Sequence, residues 1–139
     1  MLQYIFAISI LALVFAFYNY IKVNKFSSGD EKTQEISKLI HKGAMAFLNK
    51  EYSIITLFVL VVGLALYFFI GKNIAITFVI GAIFSALAGN IGMRIATKAN
   101  AKTTEAVKKS TNEGLNVAFS SGTVMGMSVV GLGLLGVAI

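Results

Sequence analysis

Cysteine, proline and tryptophan are absent from the 139 residues, and histidine occurs once, at His41. Without cysteine there is neither a disulfide nor a thiolate metal site. Without proline no long helix has a built-in kink point. Charge is scarce as well. Only 13% of residues are Asp, Glu, Lys or Arg and 57% are hydrophobic, whereas soluble domains are about 25% charged and about 45–50% apolar. That imbalance places the chain in a bilayer. The net charge of +6 suits nucleic acid or anionic lipid, so the positions of the charges must decide.

Four stretches carry no charged residue: Met1 to Ile21, Tyr52 to Gly71, Asn73 to Met93 and Gly114 to Ile139. Each reaches the roughly 20 residues that cross a hydrocarbon core. A soluble helix of that length needs a polar face. The fold class read from this pattern is an all-α membrane protein. It has one transmembrane region over 1–139, with helices at about 2–21, 52–71, 74–94 and 114–138 and cytoplasmic segments at 22–51 and 95–113. The first stretch reads as a retained helix. Met1-Leu2-Gln3-Tyr4 lacks the basic n-region of a signal peptide, and no Ala-x-Ala site follows the apolar run. Tyr4, Tyr18 and Tyr20 suit the two interfaces.

The basic residues set an orientation. Lys22, Lys25, Lys32, Lys38, Lys42 and Lys50 lie between the first and second spans; Arg94, Lys98, Lys102, Lys108 and Lys109 lie between the third and fourth. Only Lys72 lies on the other side. The positive-inside rule makes both long segments cytoplasmic and puts the N-terminus, the Gly71-Lys72-Asn73 hairpin and Ile139 outside, in a multi-pass cell-membrane protein. The basic segments lack the interleaved aromatics and motifs of a nucleic-acid binder, so no nucleic-acid partner is expected.

Both segments read as helical. Ser27-Ser28-Gly29 is a turn, Ser28 with Glu31 fits a capping box, and Ile36, Ile40, Gly43, Phe47 and Ile54 follow helical spacing, so a helix starts near Asp30 and runs into span two. Lys98, Lys102, Glu105, Lys109 and Glu113 recur every three or four residues, alternating in sign from Lys102 onward. This stripe reads as the solvated face of an extension of span three, or alternatively as a docking face for other cytoplasmic segments. Gly81, Ser85 and Gly89, and separately Gly122 and Gly126, have the four-residue spacing that lets helix backbones approach closely in lipid.

Candidates for chemistry are few. No span holds an ionisable residue well inside it, so no proton relay or ion site is expected within this segment. Asn90 can line an ion path or, the commoner role, hydrogen-bond across helices. His41 reads as a surface or interface residue, and Glu51 as a boundary charge. The acidic pair Asp30-Glu31 reads as helix-start charge. No Gly-rich phosphate loop occurs. The expected set of catalytic, cofactor-binding and metal-binding residues is therefore empty.

Three stretches resemble the membrane-bound, ion-translocating inorganic pyrophosphatases. The first is Ile40-His41-Lys42-Gly43-Ala44-Met45-Ala46-Phe47-Leu48-Asn49-Lys50-Glu51-Tyr52, against a family pattern near I-x-x-G-A-x-A-F-L-x-R-E-Y. The second is Phe78-Val79 with Gly81-Ala82, Ser85, Ala88-Gly89, Ile91-Gly92-Met93, Ala96-Thr97 and Ala99-Asn100. The third is Gly114-Leu115-Asn116-Val117-Ala118-Phe119, then Gly122 and Met125-Gly126. They cover roughly 36 to 136 in order. Lys50 stands where the family usually has Arg, and Ala101-Lys102-Thr103-Thr104 replaces the usual Arg-Thr-Ala.

The resemblance implies the outer-ring part of a sixteen-helix, homodimeric pump. Such a pump splits magnesium pyrophosphate at the cytoplasmic side and moves protons or sodium ions outward, with potassium as an activator in some members. Its magnesium and pyrophosphate ligands come from later helices, so no catalytic or metal residue is expected here and the segment alone is expected inactive. The partners implied are the remaining helices, a second copy, lipid and, for the whole protein, pyrophosphate. The apolar end at Gly133-Leu134-Leu135-Gly136-Val137-Ala138-Ile139 reads as a truncated sequence. The alternative is a small, non-enzymatic four-helix membrane subunit or scaffold.

Overall fold

The computed structural model describes residues 2–138; Met1 and Ile139, both placed on the outer side by the charge pattern, lie outside the described residues. Four helices account for almost all of it: α1 (Leu2–Asn24), α2 (Glu31–Phe69), α3 (Lys72–Lys109) and α4 (Thr111–Ala138). All four are long and apolar enough to cross a membrane. At 1.5 Å per residue, the 39 residues of α2 reach about 58 Å, roughly twice a hydrocarbon core of about 30 Å. α3, with 38 residues, is nearly as long. Each is a span fused to an extension at the basic end, as the helical reading of both segments anticipates.

The connections are short because their chemistry is local. Gly29 takes φ +80, a conformation that glycine adopts without a Cβ penalty. Asp30 then caps α2, its carboxylate accepting the Thr33 amide at 2.8 Å. The cap is therefore Asp30, not the expected Ser28–Glu31 box: the helix starts two residues after Ser28 would require. At the opposite end, Gly71 takes φ +147 and its N–H reaches back to the Leu66 carbonyl at 2.9 Å, closing α2. Only Ser110 separates α3 from α4; its backbone is extended and its hydroxyl accepts the Glu113 amide at 3.1 Å.

The helices form a row in the order α1, α4, α3, α2, so α1 and α2, adjacent in sequence, occupy opposite edges. The α1–α4 seam is built from small residues. Ser9, Ala12, Ala16, Asn19 and Val23 are buried on α1; Gly114, Val117, Ser120, Ser121, Val124, Ser128 and Gly131 are buried on α4, where Gly114 faces Val107 of α3 and Gly131 faces Leu13 of α1. The α1 set alternates spacings of three and four, and the α4 set does the same once Ser120 is set aside, the repeat that keeps two helices in register. In lipid, where apolar burial gives no advantage, such close packing drives association. Two buried polar groups of α1 are satisfied within their own helix: the Ser9 hydroxyl donates to the Phe6 carbonyl and the Asn19 amide to that of Phe15.

Of the expected close-approach glycines, Gly89 meets the Tyr52 hydroxyl of α2 at 3.6 Å, and the other three are corrected. A Cβ on Gly81, Gly122 or Gly126 would meet open space, whereas Gly92 faces Met125 and Gly131 faces Leu13 and the Ser9 carbonyl. Spacing alone identified small faces but not which face has a neighbour. The buried core, Val23, Ile95, Ala99, Ala106, Val117 and Val124, gathers toward the basic end. Large apolar residues along the spans, Phe58, Phe68 and Phe69 among them, are exposed, as lipid-facing side chains should be.

Candidate functional site

Three sets of polar contacts hold the basic end together. In the first, the Lys102 ammonium, 8% exposed, donates to the carbonyls of Asn24 at 3.1 Å and Phe26 at 2.5 Å. Those oxygens belong to the last residue of α1 and the link that follows, where a helix carries partial negative charge. Burial lowers the Lys102 pKa, with Lys98 adding a smaller push in the same direction. The extension of α3 is therefore a docking face: Ile95, Thr97, Ala99, Ala101, Lys102 and Ala106 are buried. Of the expected charged stripe, Lys98, Lys109 and Glu113 are exposed and Glu105 is half-buried, so only Lys102 departs from the solvated reading; the ion pair there is Glu105–Lys108 at 2.8 Å rather than a chain through Lys102 and Lys109. That pair raises the Lys108 pKa, chiefly through the Glu105 hydrogen bond. Ser110 interrupts the helix between Lys109 and Glu113, so those two do not share a continuous face.

The second set joins α2 to α3. His41 Nδ1 lies 2.7 Å from the Thr97 hydroxyl, which itself donates to the Met93 carbonyl at 2.9 Å. Ser37 donates to the Thr97 carbonyl at 3.3 Å, and Tyr52 donates to the Ala86 carbonyl at 2.6 Å beside Gly89. The third set joins α1 to α4, where Lys22 donates to Asn116 at 2.8 Å.

Asn90 does not bridge helices. It accepts from Arg94 Nε at 2.6 Å, one turn along α3 itself. A guanidinium four residues away reaches the amide more readily than a neighbouring helix does, so the cross-helix reading is corrected.

The acidic residues stay apart. Among the described residues no three His, Cys, Asp or Glu side chains gather where they would hold a metal. Asp30 is committed to Thr33, and hydrogen bonds from Thr33 keep its carboxyl below the usual range, with Lys108 and Lys32 adding smaller effects. Glu105 is committed to Lys108. Glu31, Glu35, Glu51 and Glu113 are exposed. Magnesium needs converging oxygen ligands in near-octahedral geometry, and this donor set does not fit it.

Sequence reasoning missed the Lys102 tether and the Lys22–Asn116 bond. Neither has a periodic signal, because each depends on which helix ends meet. Tyr52, Gly92, Asn116 and Met125 all fall within the three family-like stretches and all make interhelix contacts. The motifs thus carry packing in this chain.

The sequence profile of a family described as "Inorganic H+ pyrophosphatase" matches residues 10–139. A candidate K(+)-stimulated pyrophosphate-energized sodium pump of Clostridium tetani is 49% identical over 118 residues, covering 85% of this chain and 18% of that protein. A K(+)-insensitive pyrophosphate-energized proton pump of Moorella thermoacetica is 41% identical over 129 residues, with 92% and 19% covered. A K(+)-stimulated pyrophosphate-energized sodium pump of Thermotoga maritima is 38% identical over 136 residues, with 96% and 19% covered. The chain thus spans under one fifth of the length of these curated relatives.

Proposed function

The chain belongs to the family of inorganic H+ pyrophosphatases, and on that premise we propose that it forms four outer-ring helices of a pyrophosphate-energised ion pump. In this reading the pump hydrolyses magnesium pyrophosphate at the cytoplasmic side and moves sodium ions or protons outward. The present residues serve it as scaffold, and hydrolysis and pumping belong to helices elsewhere in the assembly. The assembly is a homodimer, and the basic end is cytoplasmic.

The supporting observation is where the family-like residues fall. Tyr52, Gly92, Asn116 and Met125 join helices instead of converging on a substrate cavity. The carboxylates of Asp30 and Glu105 are already engaged by Thr33 and Lys108. Hydrolysis of a diphosphate needs positioned cations and a group that activates water, and nothing on these helices assembles both.

Two experiments test the reading. Residues 1–139, purified in detergent, should release no phosphate from magnesium pyrophosphate with or without potassium or sodium. Turnover that disappears on Asp30→Asn or Glu105→Gln would place an active site here and overturn it. The positive test is a chimera in which these residues replace the matching segment of the Clostridium tetani relative. Retained pyrophosphate hydrolysis supports the scaffold role; a folded but inactive chimera favours the separate-subunit alternative.

A further inference from the structure

One side of the α2–α3 pair combines cationic and apolar surface that the helix packing leaves unused. On α2, Lys38, Lys42, Asn49, Thr56 and Leu60 are four or seven residues apart and share a face; on α3, Ile83, Asn90, Arg94 and Lys98 do the same. The basic ends of both stripes line one cleft of about 650 Å³, walled by Lys38, Lys42, His41, Asn49 and Lys98. A smaller hollow extends it past Lys38 and Lys98 toward Lys102 and the end of α1. The apolar ends of the same stripes line a groove of about 450 Å³ that includes Thr56, Leu60, Val79 and Ile83. Between them in register stands Arg94, its Nε held by Asn90.

The charges here are not neutralised. Among the described residues the one salt bridge is Glu105–Lys108, so no carboxylate pairs with Lys38, Lys42, Arg94 or Lys98. Glu35 lies one turn beyond Lys38 and lines neither hollow. Lys98 also stands 5.9 Å from the Tyr20 ring centroid, and Asn24 of α1 lines the smaller hollow.

Depth selects the occupant. Asn49 is one turn above Tyr52, where the apolar part of α2 starts, and Thr97 is one turn beyond Met93, where that of α3 ends. At 1.5 Å per residue the cleft's rim at Asn49, Thr97 and Lys98 stands about 5–8 Å outside the hydrocarbon, in the headgroup layer, with Lys42 and Lys38 about 15 and 21 Å out along α2, and the groove lies below the rim at acyl-chain depth. We propose that this face binds an anionic phospholipid. Its phosphate sits among Lys38, Lys42 and Lys98, the Arg94 guanidinium supports the glycerol region, and one acyl chain lies in the groove beside Leu60 and Ile83. A soluble phosphate would use the cleft alone, and a zwitterionic lipid would leave the cations unmatched.

Native mass spectrometry of the full 139-residue chain in neutral detergent tests this. Phosphatidylglycerol and phosphatidylcholine with identical acyl chains are offered at equal concentration, with inorganic phosphate as a separate arm. Phosphatidylglycerol should be retained about tenfold better, as expected for a few lysines at an anionic headgroup. The triple variant K38Q/K42Q/K98Q should lose that preference, while K32Q/K50Q/K109Q, with the same loss of charge on exposed positions elsewhere, should keep it. Ile83→Trp, which fills the groove, should weaken long-chain phosphatidylglycerol and leave the dihexanoyl form unchanged; it also tests the site if the triple variant loses helicity. Equal retention of the two lipids by the parent chain overturns the proposal, as does an unchanged preference in K38Q/K42Q/K98Q. Displacement of the lipid by millimolar phosphate, independent of acyl length, would mark a soluble-anion cleft and overturn it too.

Discussion

The Lys102 ammonium lies 3.1 Å from the carbonyl oxygen of Asn24, so a side chain of α3 closes the open end of α1. This contact replaces the water that unpaired carbonyls at a helix terminus would otherwise bind. Replacing Lys102 with Met keeps most of the stem volume and removes the donors. The variant should lose about 1–3 kcal/mol, the cost of leaving buried acceptors unpaired, read as a lower midpoint of thermal aggregation in detergent. An unchanged midpoint would mean that water serves those oxygens equally well.

Glycines separate packed faces from open ones. Gly131→Ala pushes a methyl against Leu13 at 2.8 Å and the Ser9 carbonyl at 3.2 Å, and backbone cannot move aside cheaply. It should destabilise by about 1–3 kcal/mol, the usual cost of overpacking. Gly81→Ala meets nothing within 4 Å and should stay within about 0.5 kcal/mol of the parent. Thermal melts of the two variants side by side decide the point; equal losses would show that Gly81 also meets a neighbour.

The start of α2 should respond to acid. Hydrogen bonds from Thr33 lower the Asp30 pKa in the folded chain. A carboxylate shifted down contributes stability above its unfolded value, about 3.9, and loses it as pH falls through the folded value. Amide exchange at Thr33 should therefore be slow from pH 7 to 5, after correction for intrinsic rates, and rise below about pH 4. Asp30→Asn, still a good cap, should flatten this dependence, and Asp30→Ala should speed exchange throughout.

Orientation is testable because the chain has no cysteine. With single cysteines at Asn73 and Thr104, an impermeant maleimide added outside intact cells should label position 73 and spare 104. The reverse pattern would invert the proposed topology.

The four helices were legible because a charge-free run of span length has no polar face to turn toward water. The extension of α2 was legible from Asp30 and the Ile36–Ile40–Phe47 spacing. The neighbours were not legible. Gly81 and Gly131 are equally small, and only the row order makes Gly131 the packed one. Lys102 has the sequence context of a solvated lysine, and its burial follows from the turn after α1, 76 residues away from it at Phe26. Asn90 differs from its expected cross-helix role because its partner, Arg94, lies on its own helix, and the charge pattern marks Arg94 only as a cytoplasmic-side residue.

The row order also sets a timetable for synthesis. The Lys22–Asn116 bond spans 94 residues of sequence. At about 5–20 residues per second, α1 leaves the ribosome roughly 5–20 s before the helix it packs against. During that interval its seam of Ser9, Ala12, Ala16 and Asn19 faces lipid or the insertion machinery, and α2 cannot stand in, since its place is at the opposite edge. Among these four helices, α1 is made first and settles only when α4 arrives. A pause before α4 emerges would leave α1 the segment most available to chaperones and membrane proteases.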